Sequence, residues 1–382
     1  MLNKEKFKDA KYLPLTREEM LDLIAGKWQG RVAVANEGHW LHIDELKKEN
    51  HAYFENLVKE YPCDVQAFYI VKAPDFGEFG NKYCWCDVPG ADPKLRRKPG
   101  ESVGIDEETA ITWEIINQIS PDTPDPYSVN ILGNDQEPDG RYRLFLMSAF
   151  LFTRMWYYRG IADSLMDVYL EADNVKRLLR KITDFYLACV KIVCENTEID
   201  GIAFADDWGM QKGPFMSPEL FKEFYYPHFK EVFDLVHSYG KQVWLHCCGD
   251  VMLLAEHFIE AGVDVLHPIQ KFANDEAEFL EKYGNKVCTW VGMDLQRILP
   301  YGTTEEVREE TRYLIDTFVK GNNNRVIMTI ANRLEDDVPP ENFGAFVSEA
   351  YEYGAKVVED GPGVNESPCY SNRQKWYGAK EE

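Results

Sequence analysis

The sequence predicts a single (β/α)8 barrel, an α/β fold, with long inserted loops after the second strand. Three observations predict this fold. Short apolar runs alternate with helical segments along the whole chain, as in parallel α/β folds. Polar side chains follow nearly every apolar run, at the place where barrel strands carry ligand sites. No glycine-rich turn follows a strand, and this favours a closed barrel over a doubly wound open sheet.

Eight short apolar runs carry the strand prediction. Their length and their content of β-branched and aromatic residues are typical of buried strands. In chain order, the predicted strands span residues 31–35, 64–71, 143–147, 201–205, 243–245, 263–266, 286–291 and 325–330. Helical segments return the chain after each strand, so we expect all eight strands to be parallel.

Capping residues and apolar spacing predict the helices between these strands. Helices are predicted over residues 16–27, 43–60, 108–118, 151–158, 164–171, 174–196, 217–240, 303–321 and 339–354. Thr16 with Glu19, and Thr303 with Glu306, have the spacing of capping boxes. Gly354 is expected to end the last helix.

The predicted domain organisation is one barrel domain over residues 1–382. N-terminal helices occupy residues 1–30, and an irregular tail follows from about residue 361. Elaborated loops over about 72–140 are rich in Gly and Pro. Long loops of this kind are usually functional lids or disordered segments, and we expect these to lie over one face of the barrel.

The amino-acid composition argues against some classes of binding partner and cellular location. The formal net charge of −23 argues against nucleic acid or an anionic membrane surface as a partner. No run of about 18 apolar residues occurs, so no membrane span is predicted. The first residues, MLNKEKFKDAKYLP, contain no apolar core of a signal peptide. With nine cysteines and no export signal, we expect a cytoplasmic protein with reduced thiols.

The segment over residues 241–270 carries the strongest chemical motif. It reads KQVWLHCCGDVMLLAEHFIEAGVDVLHPIQ, a strand, an amphipathic helix that includes 253–258, and a second strand. His246 and Cys248 form an H-x-C pair directly after the first of these strands. Residues two apart in an extended segment point the same way, so an imidazole and a thiolate could hold one soft metal ion. The alternative is a buried cysteine beside a histidine that hydrogen-bonds in the core.

Acid–base and aromatic side chains also follow the other strands. The candidate catalytic residues are Asp206, Asp207, Glu37 and His39. The candidate substrate-binding residues are Trp40, Trp208, His267, Asp294, Asn332 and Arg333. We expect repulsion between the adjacent carboxylates Asp206 and Asp207 to keep one of them protonated near neutral pH.

Structural alternatives remain for these candidates. Asp206 or Asp207 could cap a helix, and His267 could bond only to backbone. Arg333 could pair with Glu335 or Asp336 on the surface.

Long segments of the chain resemble one enzyme superfamily. DGIAFADDWGMQKGPFMSPELFKEFYYPHFKEVFDLVHSYGKQVWLHCCGDV, followed by AGVDVLHPIQ and DDVPPENFGAFVSEAYEYG, resembles the uroporphyrinogen decarboxylase superfamily. The resemblance extends from about residue 199 to 354 and is looser before that. It implies a (β/α)8 barrel and a cytoplasmic enzyme, and the superfamily contains both decarboxylases and cobalamin-dependent methyltransferases.

The chain departs from both branches of this superfamily. Decarboxylases carry an Arg-rich N-terminal loop for substrate carboxylates, and the matching segment RVAVANEGHW lacks one. Methyltransferases bind zinc through H-x-C after strand five and a cysteine after strand eight. His246 and Cys248 match the first two ligands, but Asn332 occupies the third position, where decarboxylases have histidine. Candidates for a replacement ligand are Cys84, Cys86, Cys369 or a carboxylate.

The resemblance favours a corrinoid-dependent methyltransferase. Such an enzyme moves a methyl group from a small methylated donor, such as an aryl methyl ether, to a separate corrinoid protein. The chain lacks the corrinoid-binding pattern D-x-H-x-x-G, so the partner would carry the cobalt. A homodimer is one possible assembly of the protein itself. The alternatives are a decarboxylase of a small acid, with Arg333 holding a carboxylate, and a non-catalytic barrel that binds a ligand.

Overall fold

The structure, a computed structural model, describes residues 1–36, 41–69, 80–81, 86–87, 112–118, 137–147 and 149–371. Within these residues eight parallel strands form a nearly closed barrel. The barrel strands are β1 (Ala33–Val34), β2 (Val65–Tyr69), β3 (Tyr142–Met147), β4 (Gly201–Ala205), β5 (Gln242–His246), β6 (Val265–His267), β7 (Cys288–Met293) and β8 (Val326–Ile330). Neighbours pair in the order β1-β8-β7-β6-β5-β4-β3-β2, which confirms the predicted fold.

Helices surround the barrel along the described part of the chain. They are α1 (Arg17–Ile24), α2 (His51–Glu60), α3 (Trp113–Gln118), α4 (Leu151–Arg159), α5 (Ile161–Leu170), α6 (Ala172–Asn196), α7 (Pro218–Leu220), α8 (Tyr226–Ser238), α9 (Ala255–Ala261), α10 (Glu276–Tyr283), α11 (Ile298–Tyr301), α12 (Thr304–Gly321), α13 (Pro340–Asp360) and α14 (Pro368–Ser371). A π-helical turn joins α7 to α8, and two short hairpins pair Gly80–Asn81 with Cys86–Asp87 and Gly209–Met210 with Gly213–Pro214. None of the described helices is both long and apolar enough to span a membrane.

Local sequence signals located several helix boundaries correctly. Both predicted capping boxes are present, at Thr16 and at Thr303. The prediction that Gly354 ends the last helix was wrong, because α13 continues to Asp360. Gly354 instead lets the helix approach the segment before β1, where an added Cβ would lie 3.2 Å from the Cβ of Val32.

Two other predicted helices are shorter than expected. Residues 43–50 form 3-10 turns rather than the start of α2, and the backbone N–H of Lys47 donates to Asp336 at 2.8 Å. The helix after β5 begins at Ala255, so Leu253 lies outside it and is 60% exposed. At the first place, this contact with a residue distant in sequence holds the chain just before regular helix begins.

Aromatic side chains fill the barrel below its carboxyl end. The rings of Tyr142, Trp244 and Trp290 form a chain, with centroids 5.6 Å and 5.0 Å apart. The indole of Trp244 donates to the hydroxyl of Tyr142 at 3.0 Å. That hydroxyl lies where a Cβ at Gly201 would meet it at 2.3 Å, so only glycine fits there. The ring centroids of Trp290, the last in this chain, and His267 are 4.5 Å apart. The aromatic rings therefore lie directly beneath the polar end of the barrel.

The seam between β1 and β2 is closed by one buried carboxylate. The backbone N–H of Asp64 donates to the carbonyl of Val34 at 2.9 Å. The side chain of Asp64 accepts from the backbone N–H groups of Val34 and Leu15, each at 2.7 Å. It also accepts two hydrogen bonds from Arg31, at 2.8 Å and 2.5 Å. Asp64 is fully buried, so this pairing holds together β1 and β2, the strands at the two ends of the sheet.

We expect Asp64→Asn to lower the free energy of unfolding by about 3–5 kcal/mol, since it leaves the guanidinium of Arg31 without its partner. The measurement is urea denaturation followed by circular dichroism. Asp234→Ala is the control, because Asp234 pairs with Lys230 on the exposed surface and should contribute only about 0.3–0.5 kcal/mol. Equal losses in the two variants would contradict the role given to Asp64.

Candidate functional site

Asp207, His246 and Cys248 meet at the carboxyl ends of β4 and β5. Ala205 pairs with His246 in the sheet, so Asp207 and Cys248 each follow their strand by two residues and lie side by side. One donor atom from each residue lies within 4.8 Å of the other two. His246 Nε2 is 3.3 Å from Cys248 Sγ and 3.5 Å from Asp207 Oδ1. The structure thus brings both predicted metal ligands together with one predicted catalytic carboxylate.

Hydrogen bonds to the backbone of Cys248 join the loop that carries it to the loop that carries Asp207. Asp207 Oδ1 accepts from the backbone N–H of Cys248 at 2.8 Å. The backbone N–H of Gly209 donates to the carbonyl of Cys248 at 3.1 Å. A Cβ on Gly249 would lie 2.2 Å from the backbone of Gly209, and Gly249 has a φ of +82°. Glycine is therefore required where the two loops cross, and this close approach sets the spacing of the carboxylate and the thiol.

A buried line of hydrogen bonds determines the tautomer of His246. His267 Nε2 lies 3.1 Å from the carbonyl oxygen of Ile330, which can only accept, so Nε2 carries a proton. His267 Nδ1 lies 2.6 Å from His246 Nδ1. In a neutral His267 this Nδ1 accepts, so the proton between the two rings belongs to His246. The Nε2 of His246 is therefore left with its lone pair directed at Cys248 and Asp207.

Burial keeps both histidines neutral. It lowers the pKa of His246, opposed by the charge of Asp207. Burial also lowers the pKa of His267 well below its usual value, helped by His246. Burial and the charge of Asp207 raise the pKa of the Cys248 thiol well above its usual value. In the metal-free protein the site therefore contains two neutral imidazoles and a protonated thiol beside one carboxylate.

The donor atoms of this cluster fit a bound cation. An imidazole nitrogen, a sulfur and a carboxylate oxygen all present lone pairs to the same small space. The backbone N–H of Cys248 donates to Asp207 and the amide of Asn332 donates to the sulfur, whereas a cation between the three side chains would bond to all three at once. Nitrogen, sulfur and oxygen from three side chains match the ligand set of zinc sites that keep a fourth position for a substrate. Asn332 Nδ2 donates to Cys248 Sγ at 3.5 Å, so the residue after β8 contacts the thiol as a hydrogen-bond donor.

Asp206 points away from this cluster, although it is the neighbour of Asp207. Its carboxylate accepts from the backbone N–H groups of Phe152 and Thr153, at 3.0 Å and 2.7 Å, and so caps α4. It also accepts from the indole of Trp208 at 3.0 Å. Burial raises the pKa of Asp206 to about 7, against these hydrogen bonds, and Asp207 is not among the main causes. The geometry matches the helix-cap alternative for Asp206.

The predicted substrate-binding residues lie in different environments. Trp208 is fully buried and stacks on Phe152 with ring centroids 4.3 Å apart. Asp294 is buried and caps the turn after β7, where its Oδ1 accepts from the backbone N–H groups of two following residues. Arg333 is partly exposed and pairs with Glu45 at 2.5 Å. Of the candidates in the described part of the chain, His267 and Asn332 contact the Asp207–His246–Cys248 cluster directly.

Some candidates cannot be placed. Glu37, His39 and Trp40 lie outside the described residues, as does Cys84. Of Cys86 only the backbone is described, in a short strand. Cys369 is buried next to Ser367, which donates to Glu310 at 2.5 Å. Among the described groups, the carboxylate of Asp207 is the one that joins His246 and Cys248 as a third donor.

Sequence reasoning missed two residues that support the site. Gln270 Oε1 accepts from the backbone N–H of Gly249 at 2.8 Å, and Asn274 Oδ1 accepts from that of Val251 at 2.9 Å. Both follow β6 in an irregular loop. Their residue types are common in loops, so no local pattern marks them.

Comparison with known proteins gives one family match and a likeness in fold to solved structures. Residues 145–353, more than half of the chain, match the family uroporphyrinogen decarboxylase (URO-D). No curated protein matches the sequence. A solved methyltransferase from Methanosarcina mazei is 15% identical, with a TM-score of 0.58 over 89% of this chain and 99% of that chain. This likeness concerns the fold.

A second solved structure is more distant. A glycosylated endo-beta-1,4-xylanase from Gloeophyllum trabeum is 9% identical, with a TM-score of 0.36 over 56% of this chain and 76% of that chain.

The tautomers of His246 and His267, and the opposite pKa shift of His237, can be tested in one sample. At pH 6.5 we expect His267 to be neutral with its proton on Nε2, and His246 to be neutral with its proton on Nδ1. The hydrogen bond to Asp264 raises the pKa of His237, so that residue should be largely charged at the same pH. The measurement is ¹⁵N NMR of the metal-free protein with labelled histidine. A charged His267, or a proton on Nε2 of His246, would contradict the tautomer assignment.

Proposed function

The chain belongs to the uroporphyrinogen decarboxylase family, and we propose that within this family it is a methyltransferase. In this proposal it takes a methyl group from a small methylated donor, such as an aryl methyl ether, and passes it to a separate corrinoid protein. The observation that carries the proposal is the cluster of Asp207, His246 and Cys248 at the carboxyl end of the barrel. The same three side chains would hold a zinc ion.

Among the described residues, the polar groups at this end of the barrel suit methyl transfer better than removal of a carboxylate. A decarboxylase must hold an anionic substrate, which needs unpaired cations nearby. Arg333, the cation that follows β8, is instead paired with Glu45 and lies 3.7 Å from Glu335. Asp207 and Asp294 add negative charge to the same end. A neutral ether or similar donor avoids the repulsion that these carboxylates would exert on an acid.

Methyl transfer from an ether requires help at the leaving oxygen. The C–O bond breaks as the methyl carbon bonds to cobalt(I) of the partner, and the bonding electron pair goes to oxygen. That oxygen must receive a proton or a positive field. Zinc at this site would supply Lewis-acid chemistry. His246 is held neutral and oriented by His267, and Asp207 is the carboxylate of the pair that faces the opening, with 40% of its side chain exposed.

Zinc binding should depend on pH through Cys248. Because burial raises the pKa of this thiol, binding must remove its proton, and zinc affinity should rise about tenfold per pH unit between pH 6 and 8. Cys248→Ser should weaken binding and flatten this dependence. His246→Ala should reduce bound zinc to a trace. The measurement is competition with a chromogenic chelator.

Cys247→Ala is the matched control for zinc binding. Cys247 is the adjacent thiol, it is fully buried, and it lies outside the three-residue cluster. Its loss should leave zinc affinity within about threefold of wild type. Full zinc occupancy in His246→Ala would place the metal elsewhere in the protein.

Substitutions of the two adjacent carboxylates should have different effects in a methyl-transfer assay. Asp207→Asn should slow single-turnover methylation of a cob(I)alamin protein by at least about tenfold, because it removes the carboxylate donor that would help to hold zinc at the site. Asp206→Asn should lower the melting temperature, because Asp206 caps α4, and should leave the rate within about tenfold. Native rates in both variants would show that neither carboxylate is needed for methyl transfer. Release of carbon dioxide from a carboxylic acid, without methyl transfer, would favour the decarboxylase alternative.

A further inference from the structure

The loop after β6 contacts the backbone on the far side of Cys248. This loop, residues 268–275, is called the β6 loop. Its Gln270 Oε1 accepts from the backbone N–H of Gly249 at 2.8 Å. Its Asn274 donates through Nδ2 to the carbonyl of Gly249 at 2.9 Å and accepts through Oδ1 from the N–H of Val251 at 2.9 Å. The peptide group that follows Cys248 is therefore bound on the side away from β4.

Together with the contacts from Asp207 and Gly209, these hydrogen bonds hold the backbone on both sides of Cys248. Its own N–H donates to Asp207, and its carbonyl accepts from the backbone of Gly209. Gln270 takes the next N–H along the chain. With all three backbone groups bound, the peptide planes on both sides of Cys248 are held, and the direction of its Cα–Cβ bond follows from them. The position of the sulfur then depends on one remaining side-chain torsion.

The β6 loop has the rigidity that this role requires. Ile269 and Phe272 have φ values of +49° and +68°, a region that bulky side chains avoid unless the surroundings impose it. Asn274 also bonds back to the carbonyl of Gln270, through its backbone N–H at 3.0 Å and through Nδ2 at 3.1 Å. The loop is thus tied across its own base, and Gln270 and Asn274 move together.

A buried ion cluster anchors this loop to the rest of the protein. Lys271, between Gln270 and Asn274 in the chain, is only 3% exposed. Its ammonium pairs with Glu276 at 2.8 Å and with Glu310 at 2.9 Å, and lies 4.2 Å from the ring centroid of Tyr370. A buried charge held by two carboxylates has little freedom to move, since any displacement leaves charges unpaired. The ion cluster therefore attaches the β6 loop to α12 and α14.

We propose that Gln270 and Asn274 are positioning residues that set the sulfur of Cys248 in its place beside His246 and Asp207. The proposal rests on the proposed function in so far as the thiol is a zinc ligand. Neither residue is placed in contact with the metal or the substrate. Their effect is exerted through the backbone of Gly249 and Val251.

Gln270 is the residue to test, because it is only half-buried and its variants should fold. Gln270→Met has a similar size and lacks the acceptor for Gly249, whereas Gln270→Glu keeps an acceptor oxygen. We expect Gln270→Met to weaken zinc binding by about 10–100-fold, the usual cost of losing a group that orients a metal ligand. The thiolate-to-cobalt charge-transfer band of the Co²⁺-substituted protein should decrease with it. Gln270→Glu should restore affinity to within about threefold of wild type.

Gln211→Met is the matched control. Gln211 donates to the carbonyl of Phe272 in the same loop at 2.9 Å and has no bond to Gly249 in the structure. It should therefore leave zinc affinity and the cobalt spectrum unchanged. Equal losses in Gln211→Met and Gln270→Met, or no rescue by Gln270→Glu, would overturn the proposal, because the loop would then act only as general support.

A second measurement does not need the metal. In metal-free protein, alkylation of Cys248 by a neutral thiol reagent, followed by peptide mass spectrometry, should be several-fold faster in Gln270→Met than in wild type or Gln211→Met. If wild type binds no zinc but this difference is present, the metal proposal fails and the positioning proposal stands. If wild type binds zinc and Gln270→Met changes neither affinity nor alkylation, the positioning proposal fails alone.

Discussion

The hydrogen bonds from the carbonyl of Ile330 through His267 to His246 set the chemistry of the whole site. They link β8, β6 and β5 inside the barrel, where both imidazole rings are buried. Because a carbonyl cannot donate, the direction of every proton in the line is determined from its buried end. At the open end, the unprotonated Nε2 of His246 therefore faces a thiol and a carboxylate. Without this line His246 could take either tautomer, and only the one with its proton on Nδ1 has the unprotonated Nε2 that a metal requires.

Asp206 and Asp207 show how one strand end serves two purposes. Adjacent residues at the end of an extended segment point to opposite sides. Asp206 turns outward from the barrel axis to cap α4, and Asp207 turns toward Cys248. The first fixes the helix that follows β3, and the second joins the donor cluster. Burial, rather than repulsion between the two carboxylates, is the main reason why the pKa of Asp206 is raised.

Support for the cluster comes from both sides of Cys248. On one side, Gly209 and Gly249 cross closely enough to exclude any side chain, and on the other, the β6 loop binds the peptide of Gly249. The buried Lys271 with Glu276 and Glu310 anchors that loop. A thiol held in this way is already near its partners before a metal arrives, which lowers the entropic cost of binding.

The sequence alone was enough to predict the barrel, its eight strands, the H-x-C pair and both capping boxes. These features depend on local patterns: apolar runs, residues two apart in a strand, and Thr with Glu three residues later. Tertiary structure decided which carboxylate joins His246 and Cys248, because Asp206 and Asp207 differ only in the side to which each points. It also decided that α13 passes through Gly354, where close contact with Val32 outweighs the helix-ending tendency of glycine. Gln270 and Asn274 could not be found in the sequence, because their partners lie more than twenty residues away and are backbone groups, which leave no mark on residue type.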